Sequence, residues 1–573
     1  MKRFCGLIGL ILAVTPALAQ DPITVFVAKR IITIDPGQPD AQAVAVRGER
    51  IVAVGTLKSL DPWLKAHPHM IDRRFANKVI LPGLIDPHQH VILAAVVASL
   101  PKLSYFEMPN LDGSVSPVVR SKQAALDRLT AYVAAAKAKR EPSLLAWGYD
   151  PVALGSHLTR ADIDSITADY PVMVWDSSLH NVYANSAMLT SLGLTPATAK
   201  AVPEGILLDS AGELSGVFLG NNAAAFVLRP ALARLLSPAA LAPILSGGAE
   251  LYHRGGVTTI GELGYGSVSV ALETTILPRF YNDEKTPVRA VAVAFEPVVG
   301  PAFKDKAVET VLGWQAGGTS RFRVNGVKFM SDDAFLTLGM RAGEPGYVDG
   351  HQGLWLTPPD QLYARIKPWW DAGFAVHVHS NGRESQDVVI AALRRLQAEK
   401  PRFDHRFTFE HLGMASSTQI AAIAALGAQA SVNPWYIWQR GEFNEAQLGE
   451  DRTHLASRFA TLAAAGVRTA LHTDTPVAPP TPLVSAWIAV NRLGQSGKIL
   501  APNERVSIAT ALRMITIDAA YMIGMEGDVG SIEAGKLADF TVVETDPLTT
   551  PPLKLKDIVI WGTVLGGKVQ PIR

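Results

Sequence analysis

Two histidines, His88 and His90, end the apolar run VILPGLIDPHQHV. Side chains two positions apart on a strand project to the same side, so both imidazoles can face one cation. Four further apolar runs end in residues able to bind a metal or move a proton. GVKFMSDD carries Lys328, FAVHVHSNG carries His377 and His379, FTFEHLG carries His411, and RTALHTDTPV carries His472 and Asp474. Neutral imidazoles together with a carboxylate suit zinc, and a carboxylate beside a cation can also act as a general base. His379 and His411 are about one strand–helix unit apart, a motif of roughly 30 residues. Asp474 follows about two units later, with AQASVNPW as the strand between. Consecutive strands of a β/α barrel give that spacing, and the loops after those strands carry the active site.

The elements that must position these residues fill the middle of the 573-residue chain. From about Leu84 to Gly524, short apolar runs alternate with Ala- and Leu-rich helical stretches such as SKQAALDRLTAYVAAAKAKR and AALRRLQAEK. The alternation predicts β/α units around a parallel sheet or barrel over 84–522, with an insertion around 100–250 where the rhythm fails. Both ends are β-rich, in ITVFVAKRIITID and AQAVAVRGERIVAVG at the start and GKLADFTVVETD and DIVIWGTVLGGKV at the close. They predict a small sheet domain assembled from residues 20–83 and 523–573. Before it, Lys2 and Arg3, the apolar stretch Phe4 to Val14 and Ala17-Leu18-Ala19 have the order of a secretory signal peptide spanning 1–19. Its removal takes away Cys5, the only cysteine, and leaves no membrane anchor, so a periplasmic or secreted location is expected. With 53 Lys and Arg against 52 Asp and Glu, the chain has no basic excess for a phosphate backbone, which excludes nucleic acid as a partner. GSIEAGK nearly spells a phosphate loop, but Leu537 stands where Ser or Thr is required. The aromatics Trp147, Tyr149, Trp435, Tyr436 and Trp438 are candidates for lining an apolar pocket.

In combination, LPGLIDPHQH, the NSAML segment after His180, GVTTI, GVKF, HLG after Glu410, TDTPV and GSIEAGKLADF resemble the amidohydrolase superfamily of metal-dependent hydrolases. The closest pattern is its amidohydrolase-3 or YtcJ-like branch, which includes N-substituted formamide deformylase. The resemblance runs from about Ile23 to the C-terminus. It implies an α/β fold, a distorted (β/α)8 TIM-type barrel with a small β-sandwich made by both chain ends. It also implies metal ligands at His88, His90, Lys328, His379, His411 and Asp474, with Asp474 catalytic as well. The family's His-x-x-Gly spacing fits His379 with Gly382 and selects His379 over His377. One or two divalent ions, Zn2+ by donor type, are expected. A free ammonium at Lys328 would be costly inside an apolar run, and carbamylation by CO2 would make it an anionic bridge between two ions. His180, or alternatively His472, is the expected hydrogen-bond donor to a developing oxyanion. The sequence departs from the family at Arg383, where Asp is common, at Asp333, where Gly is usual, and at His472, where a small residue is usual. The expected activity is hydrolysis of a C–N bond, amide or N-acyl, by metal-activated water with an Asp general base. A deaminase, cyclic-amide hydrolase or lactonase/carboxylesterase of the same superfamily is the alternative, and a non-catalytic binding protein is a further one. The expected partner is a small amide-type substrate, with homo-oligomerisation open.

Overall fold

The computed structural model describes residues 22–199 and 205–572. The signal segment, with Cys5 and Ala19, lies outside the described residues. Eight strands form one parallel sheet in chain order: Leu84–Gln89, Val257–Tyr265, Arg289–Phe295, Phe322–Met330, Val376–Ser380, Thr408–His411, Gln429–Val432 and Thr469–Leu471. Every residue of Leu84–Gln89, Val257–Tyr265 and Val376–Ser380 is buried. Strands covered on both faces usually read as continuous apolar runs, but LIDPHQ, VTTIGELGY and VHVHS carry buried polar residues such as Asp86, His88, Glu262, His377 and His379. The sheet nearly closes into a barrel, because the first strand meets the segment after the last one. Gln89 bridges Thr475 in parallel, Asp474 N donates to His88 O at 3.1 Å, and His90 N donates to Thr475 O at 3.1 Å.

The outer helices are amphipathic. Arg383–Glu399 buries Val389, Leu393 and Leu396, spaced three and four apart, on its barrel side. Ser417–Ala425 starts with a capping box between Ser416 and Gln419, which satisfies free N–H groups of its first turn. Among the described residues no single helix is long and apolar enough to cross a membrane.

Between the first two barrel strands the chain builds a separate five-stranded sheet. Its order is Leu144–Tyr149, Val172–Asp176, Val182–Ala184, Leu214–Phe218, Ile206–Leu208. This mixed sheet lies within the stretch where the β/α rhythm is lost in the sequence, and the loop after Val172–Asp176 carries His180.

The two chain ends meet in a seven-stranded sheet. His69–Pro82 lies in its middle, flanked by Ile23–Ile32 from the N-terminal part and Phe540–Val543 from the C-terminal part. The sheet folds back on itself where Ile51 N donates to Lys536 O and Gly535 N donates to Ile51 O. Phe26, Phe75 and Phe540 pack in the space so enclosed.

One buried ion pair pins this sheet to the barrel. Arg289, at the start of the third barrel strand, donates to Asp539 through Nε at 2.6 Å and Nη2 at 3.1 Å, and both side chains are 1% exposed. Asp539 also accepts from Gly566 N at 2.7 Å. Deleting one member of such a pair leaves an uncompensated buried charge. Asp539→Ala is therefore expected to lower unfolding stability by about 3–5 kcal/mol in urea titration. Arg289→Met combined with Asp539→Leu should recover part of that loss.

Candidate metal centre

The centre is assembled from the C-terminal ends of the barrel strands, and its first requirement is a joint between the first strand and the segment after the last. Asp86, buried in the same run as the two histidines, accepts from Thr473 Oγ1 at 2.6 Å and Thr473 N at 3.2 Å. Gln89 Nε2 donates to Thr473 Oγ1 at 2.8 Å, and Thr473 Oγ1 lies 2.7 Å from Thr475 Oγ1. This lashing sets His88 and His90 opposite Asp474. His90 Nε2 lies 3.2 Å and His88 Nε2 3.6 Å from Asp474 Oδ1. Asp474 has φ of 57° and His411 φ of 71°, left-handed conformations rare for residues with a Cβ. Such strain concentrates at functional sites.

The interstrand register brings the other residues to the same level. Lys328 pairs with His377, His379 with Glu410, and Glu410 with Ser431. Lys328 Nζ is 3.4 Å from His88 Nε2, and His411 Nδ1 is 3.8 Å from Asp474 Oδ2. The His88 and His411 rings are 4.7 Å apart and the His379 and His411 rings 4.4 Å. His88, His90 and Asp474 offer ligand atoms within 4.8 Å of one another, and so do His88, His411 and His472. His379 enters from the side, its Nε2 3.4 Å from the Asp333 carbonyl. Asn381 Nδ2 lies nearer still, 3.0 Å from the same Nε2, so that nitrogen is held by both groups.

His180 stands at the rim. Asp176 shapes its loop by accepting from His180 N and Asn181 N, each at 3.1 Å, and His180 Nδ1 lies 3.2 Å from Asp333 Oδ1. Of the positions where the sequence departs from the family, Asp333 thus faces His180, whereas Arg383 opens a helix and donates to Met414 O. Among the candidate aromatics, Tyr436 overlies the centre, stacked on Phe335 at 4.6 Å and 6.4 Å from the His411 ring. Trp147 is buried in the inserted sheet, and Trp435 hydrogen-bonds Ser485 within the packed interior.

Sequence reasoning passed over Glu410, the acid beneath the cluster. His88 Nδ1–H donates to its Oε2 and His377 Nδ1–H to its Oε1, both at 2.7 Å. His377 is therefore a partner of Glu410. An acid inside the apolar run FTFEHLG was the available signal, since a buried carboxylate needs such partners. Burial alone would raise the Glu410 pKa, but the Lys328 ammonium and the bond from His377 outweigh it and bring it down to about 2. The proton on His88 Nδ1 leaves Nε2 as the free lone pair, the arrangement by which carboxylates orient metal-binding imidazoles.

The charge states suit a divalent cation. Burial, with Lys328 close by, lowers His379 to about 3 and holds His88 and His411 well below the usual imidazole range, so all three are neutral. Burial lowers Lys328 to about 8 against the opposing pull of Glu410 and Asp474. For Asp474, burial acts upward, but its contact with His90 and the nearby positive charges hold it below the ordinary carboxylate range. Asp474 Oδ1, turned toward His88 and His90, is buried without a hydrogen bond. The neutral nitrogens of His88, His379 and His411 with an ionised, unsatisfied oxygen fit a zinc-type ion. Removing the carboxylate behind a ligand typically costs 10- to 100-fold in metal affinity. Glu410→Leu should weaken divalent-metal binding by about that factor, measured by competition with a chromophoric chelator.

The chain is similar to known proteins over most of its length. The model of the amidohydrolase family matches residues 76–570. N-substituted formamide deformylase of Arthrobacter pascens is 25% identical, the match covering 94% of this chain and 96% of the deformylase. The YtcJ protein of Bacillus subtilis is 24% identical over 86% of this chain and 88% of its own. In fold, the chain is similar to an uncharacterized metal-dependent hydrolase from Pyrococcus horikoshii, with a TM-score of 0.72, 19% identity, and coverage of 92% of this chain and 99% of that one. With the family pattern spanning both the barrel and the terminal sheet, the chain belongs to the amidohydrolase family and is a metal-dependent amidohydrolase.

Proposed function

We propose that this amidohydrolase is an exported enzyme that hydrolyses a C–N bond in a small amide or N-acyl compound. The observation that carries the reading is Asp474: an ionised carboxylate, one oxygen without a hydrogen bond, beside the neutral imidazoles of His88 and His411 at a barrel mouth. His88, His90, His379, His411 and Asp474 would hold one or two Zn2+ ions. When bound, a zinc ion supplies Lewis acidity that acidifies water and polarises a carbonyl.

The chain's own residues do the rest. Asp474 takes the proton of the attacking water and returns it to the nitrogen as the C–N bond breaks, since its depressed pKa keeps it ionised at neutral pH. His180, oriented by the contact of its Nδ1 with Asp333, donates through Nε2 to the carbonyl oxygen in the form that carries a proton on both ring nitrogens, as negative charge builds there. The buried rings of His88 and His411 and the Phe335–Tyr436 stack keep bulk water from the reacting groups. Burial, by lowering Lys328 to about 8, raises the share of neutral amine at neutral pH. That amine can attack CO2, forming an N–C bond and releasing one proton, and the resulting carbamate anion would bridge two ions. The deformylase relative is named for N-substituted formamides, and small N-acyl amides are the substrate class we assign here.

Asp474→Asn keeps the side-chain shape and removes the proton acceptor. Its kcat on an N-acyl amide should fall about 10²- to 10⁴-fold with metal content unchanged by elemental analysis. Full metal with near-normal kcat would exclude the general-base role, and activity lost only in step with metal would reduce Asp474 to a ligand. Hydrolysis of esters and lactones without any amide, on the same panel, would overturn the C–N assignment.

Export is supported by the leader composition. N-terminal sequencing of protein from the source cell should begin near Gln20, and an intact Met1 would refute it.

A further inference from the structure

His472 has no role in the proposed reaction, yet it is fully buried beside the centre. Its Nε2 lies 3.1 Å from His411 Nδ1 and its Nδ1 2.8 Å from Ser431 Oγ. We propose that His472 is a positioning residue, the middle of a Ser431–His472–His411 relay that fixes the tautomer of His411 and sets how tightly His411 holds its cation. The assignment rests on the metal-centre reading above.

Two neutral imidazoles meeting nitrogen to nitrogen share one proton, so one ring donates and the other accepts. His411 Nδ1 lies 3.1 Å from His472 Nε2 and 3.8 Å from Asp474 Oδ2, so the nearer ring is its hydrogen-bond partner, and on this assignment Nε2 keeps the lone pair for a cation. Nδ1 then carries the proton and donates to His472 Nε2. His472 in turn has its own proton on Nδ1, directed at Ser431 Oγ, which accepts. Each nitrogen is used once, and every hydrogen bond has a donor and an acceptor. A small residue at 472 would leave His411 Nδ1 without this partner.

The two supported imidazoles are therefore held differently. His88 leans on the Glu410 carboxylate at 2.7 Å, whereas His411 leans on a neutral ring. A carboxylate partner raises the basicity of a ligand imidazole. A neutral partner fixes the orientation of the ring while adding less to its basicity.

A rival arrangement uses the same rings. The nitrogens of His88, His411 and His472 lie within 4.8 Å of one another, so His472 could itself ligate. Variants separate the two. Glutamine at 472 can accept from His411 through its amide oxygen and donate to Ser431 through its amide nitrogen, whereas leucine can do neither.

The experiment measures Zn2+ affinity by chelator competition and the visible spectrum of the Co2+-loaded protein, with circular dichroism of each metal-free variant as the check on folding. His472→Leu should weaken the cation held by His411 about 10- to 100-fold. His472→Gln should stay near the parent value with an unchanged cobalt spectrum, and Ser431→Ala should fall between them. Parent-like affinity in a folded His472→Leu would overturn the relay. Loss of the cation in His472→Gln with an altered cobalt spectrum would overturn it in favour of direct ligation. If His472→Leu does not fold, parent-like affinity in Ser431→Ala overturns the relay on its own. A parent protein that binds no divalent cation would overturn the metal-centre reading together with this assignment, an outcome distinct from a parent that binds and variants that do not respond.

Discussion

The centre depends on the joint between the first barrel strand and the segment that follows the eighth. Asp86 reaches across it to Thr473, while His88 O and Thr475 O each accept a backbone N–H from the other side. A β/α barrel left open there would keep its helices and most of its core, but the His88–His90 pair would no longer face Asp474. The joint has an electrostatic cost. Burial lifts the Asp86 carboxyl to about 7, against the hydrogen bonds from Thr473 and Gln89 that favour its ionised form. Hydrogen-bond satisfaction is what makes a buried acid tolerable there.

The same logic continues inward. Glu410 and Lys328 are a buried acid and a buried base at adjacent levels of the barrel, each damping the other's desolvation penalty. Around them the imidazoles remain neutral because burial and the Lys328 charge both oppose protonation. The barrel interior thus prepares lone pairs rather than positive charges, which a cation site built from histidine requires. His90 is the exception. Burial pulls its pKa down, but the contacts with Asp474 and Glu262 raise it on balance, consistent with its place beside the two carboxylates.

Much of this was legible in the chain itself. Short β-rich runs ended at or just before His88, His90, Lys328, His379, His411 and Asp474, and strand ends on one face of a barrel converge by geometry. What stayed hidden were contacts between residues distant in sequence. Nothing local in IDPHQH says that Asp86 will find Thr473, and nothing in FTFEHLG says that Glu410 will hold two histidines from two other strands. The partnership of Asp333 with His180 joins the inserted sheet to a loop after the fourth barrel strand, so no periodicity could reveal it. Among the aromatics, composition could not separate Tyr436, over the centre, from Trp147 and Trp435 in the packed interior.

The terminal sheet carries a consequence for how the chain is made. His69–Pro82 pairs on one side with Ile23–Ile32, within reach early in synthesis, and on the other with Phe540–Val543, near the end of the chain. During the production of several hundred residues that second edge has no native neighbour, and its N–H and C=O groups stand open to pairing with another nascent copy. The waiting segment itself is Val79–Pro82 and carries no charge; Lys78 precedes it, and Pro82, which has no N–H to offer, closes it. Charged side chains on a strand discourage edge-to-edge association. A lysine at one end and a proline at the other thus bracket the apolar edge during the interval before its last partner exists.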